Sequence, residues 1–250
     1  GGIAAICAIA SGELPVGYVS KRLGVSPARA LQLLQPLRLE VRYLYNPELR
    51  SVWSVSASMM MFILIMTAPL LAALSVVREK ETGSIYNIYA STIRRAEFIL
   101  GKLLPNVLIA FINALVLWLM AMWYFGAPFK GSIPFSLLVT LLYVLCTSSL
   151  GLLVSMLVRT QQAALMIAVI LSVIIALQFS GMLTPVALLT GSNWLLAHLL
   201  PAMYYQNVVL GAFLKGSGWA VLWPEALVLA VYSVAVLGVV VLLFRKRTRT

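Results

Sequence analysis

Long apolar runs separated by short polar stretches set the pattern of this chain. Val52–Val77, Leu103–Phe125, Phe135–Val158 and Ala163–Leu183 contain no Asp, Glu, Lys, Arg or His, and Trp219–Phe244 contains one charge, Glu225, near its start. A helix needs roughly 20 apolar residues to cross about 30 Å of hydrocarbon. Backbone groups in lipid must be paired within their own segment, which makes these runs helices rather than strands. The pattern predicts an all-α fold, a polytopic transmembrane helical bundle with five spans.

The stretch 184–218 fits less simply. It has no acid and a single base, Lys215, yet Pro185, Gly191, Ser192, Asn193 and Pro201 interrupt it. A sixth span over Trp194–Leu214 is one reading. A pair of short helices that dip in from the outer face and return is the other, with the irregular backbone covered by protein. The second is preferred because a sixth span would carry the basic tail across the membrane.

Charge gives the direction. The chain has 250 residues, 62% hydrophobic and 10% charged, with net charge +11. A soluble domain holds about 25% charged residues. Arg78, Lys80, Arg94, Arg95 and Lys102 crowd the first loop, Arg159 the next link on that side, and Arg245, Lys246, Arg247 and Arg249 the tail. On the opposite side the later loops hold only Lys130 and Lys215, while the first 50 residues, which fall on that side too, carry six more bases that weigh less because most stand well away from a span. Basic loops face the cytoplasm, so the 78–102 loop and the C-terminus are placed there, against anionic lipid. The same charge would suit nucleic acid in a soluble protein; here the bilayer accounts for it, and no nucleic-acid partner is expected. Residues 16–35 do resemble a helix-turn-helix, with Gly24 at the turn, but the topology sets them outside the cytoplasm and favours a plain helical hairpin.

Several chemistries are excluded. All seven acids are Glu, so no aspartate dyad, EF-hand loop or Walker-B Asp exists. Cys7 and Cys146 support neither a disulfide framework nor a metal site. The four uncharged spans offer no ionisable relay for proton-driven transport. Gly101-Lys102 lacks the remainder of a phosphate cradle. The lone His198 reads as structural, and Asn113, Ser148, Ser149 and Gln178 as interhelical contacts. No catalytic residue, metal ligand or cofactor-binding residue is expected in this chain.

The 78–102 loop, REKETGSIYNIYASTIRRAEFILGK, carries the most information. Ile85, Ile88 and Tyr89 fall at helical spacing and form one apolar stripe on a polar element. Ser91 suits the N-cap of a second helix that runs into the next span. An ordinary solvated loop and an amphipathic helix docking on a partner explain the pattern equally well.

The same loop resembles the permeases of type-2 ABC exporters (ABC-2 type, multidrug-type). Their R-E-x-E-x-G-[ST]-I run is matched by Arg78, Glu79, Glu81, Gly83, Ser84 and Ile85, and the E-x-x-x-G-K-x-L-P that follows by Glu97, Gly101, Lys102, Leu104 and Pro105. Arg42–Ser51, Phe125–Ser132 and Phe179–Val186 agree in order and spacing, so the likeness covers residues 40–247. It is nearest the branch that includes ribosome-associated ATPase–permease fusions. Thr92 stands where relatives often have proline, and Leu210 where they often have arginine.

The resemblance implies six spans per protomer with an extracytoplasmic domain between the first and second. On that basis 1–50 is the remnant of the domain and a lead-in, 51–247 is the permease domain, and the chain, which begins with Gly, is an N-terminally truncated fragment. It implies an exporter in the cell inner membrane that works as a dimer with a second permease copy. The energy comes from an ABC ATP-binding subunit or domain, which holds ATP and Mg²⁺. Arg78, Glu79, Glu81, Gly83, Ile85, Ile88, Tyr89, Arg94, Arg95, Glu97 and Lys102 are the expected ATPase-coupling residues. Phe179, Ser180, Gly181, Pro185 and Pro201 are expected at the outer gate. A non-transporting membrane scaffold for an ATPase is the competing function.

Overall fold

The computed structural model describes residues 24, 26, 51–86, 92–183 and 186–244. Contacts divide the chain after Pro47, and every helix below belongs to the second unit, 48–250. The hairpin expected over 16–35 and the basic tail lie almost wholly outside the described residues.

Helix α1 spans Ser51–Glu81, α2 Arg95–Trp123, α3 Ile133–Leu157 and α4 Gln161–Ile174, the last continued by a wide π turn over Ile175–Phe179. A 3₁₀ turn at Val186–Leu188 leads to two short helices, α5 (Ser192–Leu199) and α6 (Pro201–Leu210). A second π turn, Gly211–Lys215, extends α6, and α7 covers Trp219–Leu243. The described residues include no strand. Helices α1, α2, α3, α4 with its extension, and α7 are long and apolar enough to cross a membrane, as the hydrophobic pattern predicts.

The uninterrupted sixth span does not form. Leu200 takes an extended conformation (φ −101°, ψ 141°) and Pro201 starts α6 at its first turn, where its missing N–H loses nothing. At 1.5 Å per residue, α6 and its π turn reach about 22 Å, short of the roughly 30 Å a span requires.

Helix α3 is the centre of the bundle, packed on α1, α7 and α2, while α1 also meets α4 and α6. The inner surface of α3 is built from small and hydroxyl-bearing residues, among them Thr140, Thr147, Ser148, Ser149, Gly151 and Ser155, all buried. Such residues let helix backbones approach closely in a membrane. On α2, Leu103, Val107, Ala110, Ala114 and Trp118 are buried, and the offset stripe Leu104, Leu108, Ile112 and Val116 is exposed. On a helix long and apolar enough to cross a membrane, such an outward apolar stripe suits a hydrocarbon surrounding.

A proline in α1 is accommodated from a neighbouring helix. Pro69 has no N–H, so the carbonyl of Ile65 one turn earlier loses its intrahelical donor. The Ser172 hydroxyl of α4 donates to that carbonyl at 2.7 Å. Backbone polarity at membrane depth is satisfied in this way.

The alternation of the spans gathers the α1–α2 loop, the α3–α4 turn and the end of α7 at one end of the bundle, here the loop end. Stacking of Phe98 on Phe244, with centroids 5.1 Å apart, ties α2 to the end of α7 there. At the far end, Trp118, Phe129 and Phe213 form an aromatic cluster with centroid separations of 4.6–5.9 Å. The Lys130 N–H donates to the Ala212 carbonyl at 3.1 Å.

Candidate functional site

The loop end is organised by the last three residues of α1, each of which contacts a different helix. Glu79 forms an ion pair with Lys102 in the second turn of α2. Lys80 reaches across to α3, where its ammonium donates to the Ser155 carbonyl and, at 3.3 Å, to that of Val158. Glu81 reaches α4: one carboxylate oxygen accepts from the Gln161 backbone N–H at 2.7 Å and the other from the Gln161 side-chain amide.

These partners match the electrostatics of helix ends. The last carbonyls of a helix and its first N–H groups lack intrahelical partners and carry partial negative and positive charge respectively. A cation on the end of α3 and an anion on the start of α4 are therefore both favourable. The Thr160 hydroxyl completes the α4 start by accepting from the Ala163 N–H at 3.3 Å. These partners carry α1 to Glu81, beyond the apolar run that ends at Val77.

Past Glu81 the chain turns sharply. Gly83 has φ +77°, a left-handed conformation that glycine adopts without strain after a helix C-terminus. The Thr82 hydroxyl donates to the Arg78 carbonyl at 3.0 Å and meets the Ser84 hydroxyl at 3.0 Å. Ile85 turns inward and is 4% exposed, whereas Tyr86 is 62% exposed. Ile88 and Tyr89, the other two members of the expected stripe, lie outside the described residues.

Helix α2 begins at Arg95, not just after Ser91, with Arg94 as N-cap. The Glu97 carboxylate accepts from the Arg94 backbone N–H at 2.9 Å, as in a capping box. This start lies well before Leu103, because Phe98 and Ile99 are buried and make the first turns part of the bundle. Arg78, Arg94, Arg95 and Arg159 are all exposed, and among the described residues none of their side chains has an ion-pair partner.

The expected coupling residues thus separate into two sets. Glu79, Glu81, Glu97 and Lys102 are engaged by hydrogen bonds or an ion pair within the loop end, Gly83 makes its turn and Ile85 is buried in it; the side chains of Arg78, Arg94 and Arg95 are exposed. Lys80 was not singled out from the sequence, although its place between two named carboxylates marks it. Thr160-Gln161-Gln162 carries a recognisable N-cap, but the reach of Glu81 across to it is a tertiary fact.

At the far end, Phe179 closes the π turn after α4. The buried Ser180 hydroxyl donates to the Ala176 carbonyl and accepts from the Met182 N–H at 3.1 Å. Gly181 has φ +86°. Pro201 is buried at the start of α6, and Pro185 lies outside the described residues. A polar layer that sequence reasoning missed holds α6 in place. Tyr205 stacks on Tyr143 with centroids 4.0 Å apart and meets the Thr140 hydroxyl at 3.1 Å. The Gln206 amide donates to the Ser58 hydroxyl of α1 at 2.5 Å. No group of three or more potential metal ligands occurs among the described residues.

Comparison with known proteins decides the family. The model of the ABC-2 family transporter protein matches residues 16–242, through all five spans and both ends of the bundle. The chain belongs to the ABC-2 family. Among relatives of this ABC-2 chain, the probable multidrug ABC transporter permease YbhR of Escherichia coli K12 is 29% identical over 198 residues, covering 77% of this chain and 53% of its own length. The probable multidrug ABC transporter permease YbhS of the same strain is 26% identical over 217 residues, covering 86% and 58%. ABC transporter G family member 20 of Dictyostelium discoideum is 26% identical over 223 residues, covering 86% of this chain and 30% of its own. The chain spans about half the length of the two bacterial relatives. No solved structure matches it.

Proposed function

We propose that this ABC-2 chain is the membrane-spanning part of an ATP-driven exporter, powered by an ABC ATPase that docks at the loop end. The observation that carries this reading is the family match, which runs unbroken through the whole bundle. Uncharged interiors in four of the spans agree with it, since a proton-driven carrier needs ionisable groups at depth.

In this reading the loop end faces the cytoplasm, together with the C-terminus, in the inner membrane. Arg78, Arg94 and Arg95, with the Ile88 and Tyr89 region, meet the ATPase, whose own site holds ATP and Mg²⁺. Closure of the ATPase pair displaces the loop, and the helices follow as rigid bodies. The far-end pair α5–α6 and the Phe179–Gly181 turn then open the outward path, and a second permease copy supplies its other wall. Names of relatives as multidrug permeases favour an amphiphilic cargo.

The test uses the full-length protein co-expressed with its ATPase, in inverted membrane vesicles, with a cationic amphiphilic dye as probe. ATP-dependent dye accumulation that disappears when the ATPase's catalytic carboxylate is replaced is the expected result. A complex that assembles but accumulates no dye with ATP would support the scaffold function instead.

A further inference from the structure

Glu79, Lys80 and Glu81 are consecutive, and their partners lie on three different helices: Lys102 on α2, the Ser155 and Val158 carbonyls at the end of α3, and Gln161 at the start of α4. Three successive residues of a helix point about 100° apart, so one turn can face three neighbours at once. The polarity of each contact is also specific. Lys80 touches helix-terminal carbonyls and Glu81 accepts from the helix-initial N–H of Gln161, each charge set against the helix end that favours it. Reversing the two charges would oppose both ends.

We propose that this turn is a three-way tie through which movement of the 82–94 loop reaches α2, α3 and α4 together, with Lys80 and Glu81 as positioning residues for coupling. The proposal rests on the exporter reading above for its coupling role, but the tie itself does not. It assigns the carboxylates a different task from docking: they hold the α3–α4 turn to the end of α1, and the partner is met by the outward arginines. A loop joined only to α1 and α2 would move those two helices and leave the α3–α4 turn behind. With the tie, the displacement enters the central helix α3 directly.

The experiment places spin labels on the full-length protein at Thr82→Cys and Gln162→Cys, both exposed positions, with Cys7 and Cys146 replaced by alanine. Without nucleotide, the wild-type background should give one narrow distance distribution. K80M/E81Q should broaden it roughly twofold, as expected for a locally released segment, and K80R/E81D should keep it narrow. The exchange K80E/E81K preserves net charge, yet it should broaden the distribution as much as the neutral pair. An unbroadened distribution in both K80M/E81Q and K80E/E81K would overturn the tie.

With the ATPase present, labels at Gln162→Cys and Leu243→Cys read movement of α4 against α7. ATP trapping with vanadate should shift this distance in the wild type and leave it unmoved in K80M/E81Q. An equal shift in both would overturn the coupling role even if the tie is real. Absence of any shift in the wild type, with a narrow nucleotide-free distribution, would overturn the exporter reading and the coupling role while upholding the tie.

Discussion

Gly151 of α3 lies against Pro69 of α1 so closely that a Cβ on it would stand 2.1 Å from the Pro69 carbonyl oxygen. The obstacle is backbone, which cannot swing aside as a side-chain tip would. The two central helices therefore meet at a point where only glycine fits, one turn from the carbonyl that Ser172 satisfies. Gly151→Ala should separate α1 and α3 and destabilise the bundle by about 1–3 kcal/mol or more, the range for overpacking. Thermal unfolding of the purified protein in nanodiscs checks this, with Gly238→Ala on α7, where a Cβ meets nothing within 4 Å, as the near-neutral control.

Ser172→Ala should remove the only described partner of the Ile65 carbonyl. Hydrogen bonds between membrane helices average about 0.6 kcal/mol and reach about 1.7, and this one should fall near the upper figure because Pro69 offers no substitute. Pro69→Ala restores an intrahelical donor to Ile65. A double-mutant cycle should therefore show Ser172→Ala costing less in the Pro69→Ala background, a coupling that independent sites would lack.

Gln206 anchors α6 through Ser58 of α1. Gln206→Ala should loosen the short helix and speed hydrogen exchange across 201–210 by about tenfold, the equivalent of about 1.4 kcal/mol. The double variant S58A/Q206L replaces both polar partners by apolar groups and should exchange close to the wild-type rate, since pairs removed together leave nothing unsatisfied. A short helix held only by aromatic stacking would show no difference between the two variants.

Sidedness follows from the same frame. Thr92→Cys at the loop end and Gly218→Cys at the far end should react with a membrane-impermeant maleimide from opposite faces, the first in inverted vesicles and the second in intact spheroplasts. Labelling of both from one face would reinstate a sixth span through 194–214.

The spans were legible because hydrocarbon imposes a simple requirement on composition, and uninterrupted runs such as Phe135–Val158 meet it without ambiguity. Their ends were not. Helix α1 continues to Glu81 because its last charged residues find partners on other helices, and α2 starts at Arg95 because Phe98 and Ile99 are buried in the bundle; pairings such as Lys80 with Ser155 leave no local trace. Polar residues within spans were legible only as a class. Asn113 does reach another helix, at Thr67 (3.4 Å), but Ser149 bonds within its own, to Leu145. Gln206 is among the most deeply buried polar side chains, yet the interrupted stretch 184–218 around it fits both a span and a pair of short helices and gives no sign of which polar residues turn inward. The loop motif drew attention to Glu79 and Glu81, but it could not show that they turn back onto α2 and α4.

The claim that a partner ATPase drives this bundle from the loop end is tested most directly by photocrosslinking. A benzoylphenylalanine in place of Tyr86, which is 62% exposed at the loop end, is compared with one in place of Trp123, 87% exposed at the far end, in cells that express the full-length protein. The account predicts an adduct with an ATP-binding polypeptide from position 86 and none from position 123. An ATPase adduct at 123, or none at 86 while the ATPase co-purifies with the protein, would contradict it.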